Sequence, residues 1–332
     1  MKRRQLIGAL GAGTLNAIMP ALAQQPPKVR RIGFLAARAR STPSNPDVYY
    51  DAFVQGMREL GYEEGKNLVI EWRFAEARVE HLPGLADELV AAKVEVIVTH
   101  GSFASRAAQS ATDRIPIVFA AVSDPVSTGL VAQLAHPGGN ITGRSQMAVD
   151  LLPKQLEFLH VLVPKLSRVA FLSDPVSLAS GNLLKVAQAA AAVFGAKIVP
   201  VKADSKNALQ RGFAAMRKDR IDAVVVPVHA LFIGPVYRRL ITGLALEHRM
   251  PSIFAYREDV EAGGLISYGA NVADIYRLAA RHVDKILKGA KPADLPVEQP
   301  TNIHLAINRK TAKALGLKIP QELILRADEV IE

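Results

Sequence analysis

The residues of this sequence that could do chemistry gather behind two short β-branched runs. His100, Gly101 and Ser102 follow residues 94–99, and Ser123, Asp124 and Pro125 follow residues 115–122. Each triplet leads into a stretch read as helical, 103–112 and 126–134. Hydroxyls and free amides at the start of a helix hold an oxyanion such as a carboxylate, and an aspartate at such a place accepts from an amine. Ser102, followed by Phe103 and Ala104, is therefore the first candidate for binding, against the competing role of a plain helix cap. Asp124 suits a ligand amine, but equally an Asp-Pro turn or a cap on the helix expected after it. The stretch Ser123-Asp124-Pro125-Val126-Ser127 recurs as Ser173-Asp174-Pro175-Val176-Ser177. The copies follow strands of different rank, so shared binding and shared turn chemistry both stay open, with both loops expected near a cleft. His229 and Ala230 after residues 223–226, Tyr256 after Phe254, and Tyr268 offer further walls for a ligand, with packing at an interface as the alternative. Tyr49 and Tyr50, in a long segment after the first strand, are alternatives on the other side.

None of these residues completes a catalytic set. Gly101-Ser102 lacks the glycine spacing of a nucleophile elbow, and His100 beside it has no acidic residue indicated as an orienter. The eight histidines form no H-x-x-x-H or H-E-x-x-H pattern, which argues against zinc, and no Walker glycine loop is present. Pro137-Gly138-Gly139 reads as a turn rather than a phosphate cradle. A binding protein with no cofactor and no metal is expected, not an enzyme.

The elements that must position these loops alternate regularly. Strands are expected at 31–36, 67–74, 94–99 and 115–122, with helices at 47–60, 81–92 and 103–112 between them. A second set follows, with strands at 168–172, 197–201, 223–226, 252–255 and 265–268 and helices at 151–163, 182–194, 208–218 and 231–249. Such alternation means βαβ crossovers, and two sets mean two α/β lobes, each a mostly parallel sheet flanked by helices. In open parallel sheets, ligands meet the loops at the carboxyl ends of the strands, where the candidates lie.

Composition is that of a folded globular chain of 332 residues, 49% apolar and carrying a formal charge of +10. The positive excess is scattered rather than striped, so no nucleic-acid partner is expected. Lys2, Arg3 and Arg4, a small apolar run over 6–19, and Ala21-Leu22-Ala23 read as an export signal cleaved after Ala23. The paired arginines weakly resemble a twin-arginine signal, with the general secretory route favoured. The apolar run is too short and glycine-rich to span a membrane. With no cysteine there is neither a disulfide framework nor a lipid-anchor site, so a mature protein free in the periplasm is expected.

Longer motifs carry a family resemblance. RELGYEEGKNLVIE over 58–71, IPIVF over 115–119, DPV and GLV within 124–131, HPGGNITG over 136–143, GGLISYGAN over 263–271, KILKGAKPADLPVEQPT over 285–301 and the run from Ile307 to the end resemble the tryptophan/tyrosine-type substrate-binding proteins of ABC transporters. The resemblance implies a type I periplasmic-binding fold whose chain crosses between lobes near Gln146, Gly269 and Glu298. Lobe 1 would hold 29–145 plus about 270–297, and lobe 2 would hold 146–269 plus about 298–332. It also implies that Gly101-Ser102-Phe103-Ala104 corresponds to the family's Gly-Thr/Ser ligand loop, from which Phe103 departs. The implied role is to bind an aromatic amino acid or small carboxylate between the lobes, as a monomer, and deliver it to a membrane permease with its ATPase subunits. A sensing protein that docks on a receptor, or a periplasmic hydrolase, are the alternatives.

Overall fold

A computed structural model of the protein describes residues 29–39, 47–76, 78–174, 177–229 and 231–332. The expected export signal, Pro175, Val176 and Ala230 lie outside the described residues. The first half of the chain runs through β1 (Arg30–Ala36), α1 (Val48–Glu59), β2 (Leu68–Phe74), α2 (Leu82–Ala91), β3 (Val96–His100), α3 (Gly101–Ala111), β4 (Ile117–Val122) and β5 (Ile141–Ser145). There follow α4 (Ala148–Leu162), β6 (Arg168–Ser173), α5 (Ser180–Ala192), β7 (Lys197–Lys202), α6 (Lys206–Met216), β8 (Ala223–Val226), α7 (Pro235–Glu247) and β9 (Ser252–Phe254). The last part comprises α8 (Arg257–Glu261), β10 (Ile266–Ala270), α9 (Val272–Leu287), β11 (Ile303–Asn308), α10 (Arg309–Leu315), α11 (Gln321–Arg326) and β12 (Glu329–Ile331).

These strands form two sheets, which is the two-lobed α/β class expected. One has the order β2-β1-β3-β4-β5 and is parallel throughout. The other has the order β12-β11-β10-β9-β8-β6-β7, parallel except where β10 meets β11. β3 and β4 are buried along their whole length, as the apolar runs of a strand covered by helices on both faces require. The chain passes between the sheets after Ser145, after Ala270 and before Ile303, so α9 returns to the first sheet and packs on α1.

Two expectations about loops are corrected. Residues 126–134 form turns, not a helix. Asp124 folds back to accept from the Ser127 amide at 3.0 Å and from the Ser127 hydroxyl, while the Thr128 hydroxyl donates to the Asp124 carbonyl, and Gly129 then turns left-handed at φ 66°. These local bonds compete with a helical ladder and win. Tyr49 and Tyr50 lie not in a covering loop but in the first turn of α1, capped by the Asp47 carboxylate, and both are buried.

The first lobe's core depends on how closely α1 and α9 approach. A Cβ on Gly56 would lie 2.1 Å from the Arg277 carbonyl oxygen, so only hydrogen fits between the helices. Phe53 and Met57 beside it, and Tyr276, Ala279 and Ala280 opposite, are almost completely buried. Gly56→Ala should therefore destabilise the protein by at least about 2 kcal/mol, through overpacking. Gly84→Ala, on the exposed side of α2 with nothing near its Cβ position, should instead raise stability by about 0.5–1 kcal/mol. Denaturant midpoints of the two variants, measured side by side, check both signs.

Candidate functional site

The loops at the carboxyl ends of both sheets face one another, and a cavity of about 40 Å³ lies between them. From the first lobe, β3 and α3 contribute His100, Gly101, Ser102 and Phe103, and the end of β4 contributes Ala121 and Ser123. From the second, the loop after β6 and the start of α5 contribute Ser177, Leu178 and Ala179, while Val228 and His229 follow β8 and Tyr256 follows β9. Gln146, at the first crossing, lies against both sets.

Backbone geometry aims these groups. The helix α3 begins at Gly101, whose φ of 70° is open to glycine at little cost. His100 occupies the N-cap position, and no side chain caps the helix, so the capping role weighed for Ser102 is not the one it has. The early amides of α3, which lack partners within the helix, stand at the cavity beside the Ser102 residue. At β4 the register against β5 shifts between Phe119 and Val122, and Ala121 is held at φ 56°, a strained conformation for a residue with a Cβ. Gly143 on β5 makes the close approach possible, since a Cβ there would meet the Phe119 carbonyl oxygen at 2.1 Å. The bulge places Ala121 and Ser123 on the cavity.

Ser102, Phe103, Ser123, His229 and Tyr256 are thus brought together, and the other sequence candidates are not. Ala104 is buried one position deeper, in the core under α3. Asp124 turns away from the cavity to Ser127, and accepts at 2.6 Å from Nδ2 of Asn182 on the facing lobe. The Ser173 hydroxyl is directed to the Val201 carbonyl of the neighbouring strand, at 3.5 Å. Asp174 stands behind His229, with Oδ2 at 3.2 Å from Nε2, close enough for attraction although the ring is not aligned for a hydrogen bond. Tyr268 packs edge-on against Phe158, ring centroids 5.1 Å apart, in the core of the second lobe. Neither aspartate is among the described residues that line the cavity, and Asp124 is held in its own turn.

His100 and Gln146 are the lining residues that the sequence reading passed over, the first weighed only as a catalytic neighbour and the second only as a crossing. The position of His100 at the very end of a buried strand was the available signal. For Gln146, and for Ser177 to Ala179, the sequence carries none.

Behind the first-lobe wall lies an aromatic nest. The Arg38 guanidinium sits over the rings of Tyr49 and Tyr50, 5.2 and 4.8 Å from their centroids, and pairs with Asp47 at 2.6 Å. Burial works against its charge, and Tyr276, Tyr50 and Asp47 more than restore it. Tyr276 in turn lies beside the His100 ring, centroids 5.5 Å apart. Burial and the nearby Arg38 charge hold His100 well below the ordinary histidine range. Burial lowers His229 too, against the pull of Asp174, and its Nδ1 accepts from the Leu231 amide at 3.2 Å, which leaves Nε2 to carry the proton. Among the described residues no group of three or more histidines or carboxylates is placed to hold a metal ion, and no helix is long and apolar enough to cross a membrane.

The shifts predict a pH dependence. An unfolded chain protonates its histidines near pH 6.5, whereas the folded state keeps His100 neutral well below that. Stability is therefore lost as pH falls through 6.5, by up to about 1.4 kcal/mol per pH unit for each such histidine. Asp259, pushed up to about 7 by burial against the pull of Arg238, contributes the opposite slope, so the comparison must be made between variants. His100→Asn should lose less stability than the wild type between pH 7.5 and pH 5 in urea titrations; equal losses would mean that His100 protonates freely in the folded protein.

Comparison with known proteins agrees with this geometry. Residues 41–331 match the family of ABC transporter substrate binding proteins. A tyrosine-binding protein of Clostridioides difficile (strain R20291) is 26% identical over 267 residues, 80% of this chain and 76% of that one. The ABC domain from Streptococcus pneumonia, solved in complex with L-Trp, superposes with a TM-score of 0.83 at 27% identity, covering 92% of this chain and 100% of that one. A conserved domain protein from Vibrio cholerae gives a TM-score of 0.84 at 27% identity, covering 91% and 100%. On the match over residues 41–331 the chain belongs to the ABC transporter substrate-binding proteins.

Proposed function

We propose that the protein binds a small aromatic solute bearing a carboxylate between its lobes, outside the cytoplasm, and presents it to an ABC permease and its ATPase subunits. The observation that carries this reading is the convergence of strand-end loops from both sheets on one cavity at the start of α3. The free amides of α3 and the Ser102 hydroxyl suit a carboxylate, and Phe103 and Tyr256 supply apolar faces for a ring. The L-Trp complex and the tyrosine-binding relative support an aromatic ligand. A 40 Å³ space is about a water's share, far below the 300 Å³ or more of ordinary ligand sites, so the solute enters when the lobes part. The crossings at Gln146, at about Gly269 and near Glu298 then act as hinges between lobe 1 (29–145 with about 270–297) and lobe 2 (146–269 with about 298–332). We read the segment 1–23 as an export signal and propose that the mature protein works in the periplasm as a monomer.

The solute contacts both lobes only when they are closed, so binding and closure are one equilibrium. A ligand present at a thousand times its dissociation constant should add about 4 kcal/mol to stability. The mature protein, unfolded and refolded to strip any carried ligand, should therefore melt several degrees higher with an aromatic amino acid or aromatic acid, and return the compound unchanged. Ser102→Ala should weaken that binding about tenfold, the value of one hydrogen bond to a charged group, with little change in the melt of the free protein. Chemical conversion of the compound, or full affinity in Ser102→Ala, would count against the reading.

A further inference from the structure

The described residues that line the cavity carry no full charge. Its polar groups are serine hydroxyls, the Gln146 amide, the Tyr256 phenol and two histidines, without a carboxylate or a lysine or arginine among them. The two aspartates nearest in sequence are committed elsewhere, Asp124 to Ser127 and Asn182, and Asp174 to the far side of His229. An ammonium group of a ligand seated against these residues would meet no anion from the described lining, and burying it unpaired costs several kcal/mol.

For an anion the same walls are favourable. The eleven-residue helix α3 points its N-terminus at the cavity and has no acidic residue in its first turn. The buried Arg38 guanidinium, paired with Asp47, stands behind Tyr276, and its charge bears on His100. His100 itself supplies the second, independent sign of a ligand: it is 4% exposed, lines the cavity, and its Nδ1 has no hydrogen-bond partner among the described residues. An unpaired buried polar atom costs about 1–3 kcal/mol, which a ligand oxygen in the closed cleft would recover. Next to Arg38 that group is better matched by an oxygen than by an ammonium.

We propose that the cleft selects an organic carboxylate that lacks an ammonium group, with His100 hydrogen-bonded to its carboxylate or to a 2-hydroxyl, over the amino acid of the same skeleton. This rests on the reading of the cavity as the site for an aromatic carboxylate. The geometry makes His100 a specificity residue and assigns the ligand to the aryl-acetic or 2-hydroxy-3-aryl-propionic acids.

Matched pairs test it, using the refolded, ligand-free mature protein in calorimetric titrations: L-tyrosine against 4-hydroxyphenyllactate, L-phenylalanine against phenyllactate, and L-tryptophan against indole-3-lactate, with the three arylacetates alongside. At least one acid should bind tenfold or more tighter than its amino acid. His100→Phe should weaken the acid tenfold or more, while Ser123→Asp, which puts a carboxylate on the wall, should shift preference toward the amino acid. Amino acids binding as tightly as their acids would overturn the inference and leave the aromatic-solute reading standing. Binding of neither class, with the melt raised by some other solute, would overturn both. An acid affinity unaffected by His100→Phe would remove His100 from the site.

Discussion

The amide of Gln146 is the group on which the arrangement of the site depends. It is 5% exposed, its nitrogen donates to the Ala121 carbonyl of the first lobe, and its oxygen accepts at 3.2 Å from the Tyr256 hydroxyl of the second. Its backbone amide also donates to the Val122 carbonyl, at 2.9 Å. One side chain at a crossing between the lobes therefore fixes the strained end of β4, reaches the opposite wall and lines the cavity. Ala121 can persist at a positive φ because these bonds, with the close approach of Gly143, determine it from both sides. Any separation of the lobes must break the Tyr256 contact while leaving the Ala121 contact in place.

The neutrality of the walls follows from where the charges have been put. Arg38 is sequestered with Asp47 among Tyr49, Tyr50 and Tyr276, so its field reaches the cavity but its guanidinium is not offered as a direct partner. Asp174 is screened by the His229 ring, and Asp124 is bound into its own turn and to Asn182. Each charge shapes the potential from behind a neutral residue. In a low-dielectric setting this biases the choice between an anion and a cation while leaving no exposed charge whose desolvation must be met each time the cleft closes.

Much of the fold was legible because its signals are local. Buried β-branched runs such as 96–100 and 117–122, and the Asp47 cap of α1, appear in the structure within a residue or two of their expected limits. Asp-Pro-Val-Ser after β4 was misread as a helix start because the bonds that make it a turn, from Ser127 and Thr128 to Asp124, differ little in sequence from a cap. The short terminal elements α10, α11 and β12 escaped: β12 owes its form to pairing with β11, and α10 packs on α7 and β12. At the site, Ser102, Ser123, His229 and Tyr256, one to three positions past a strand, line the cavity. Tyr268 and Ser173, whose facing is set by pairing register, do not line it, and neither do the aspartates, whose direction is set by other partners.

The lobes are joined in this arrangement by apolar packing, with Ile233, Ala255 and Tyr256 of the second lobe in one buried cluster with first-lobe residues, and by hydrogen bonds that are individually weak. Asn182 to Asp124 at 2.6 Å, Tyr256 to Gln146 at 3.2 Å, and Tyr49 to Glu258 at 3.2 Å are hydrogen bonds across the cleft. Each is worth only about 0.5–1.5 kcal/mol net, or somewhat more where an ionised partner is involved, because water replaces it on opening. Ordering of the closed state opposes these contacts. To move such an equilibrium from almost wholly open to almost wholly closed requires about 5.5 kcal/mol of differential binding. A ligand bonded at once to the start of α3 and to the second-lobe wall makes contacts of that total size only in the closed form. Contacts of the solute with both walls therefore bias the lobes toward the closed form.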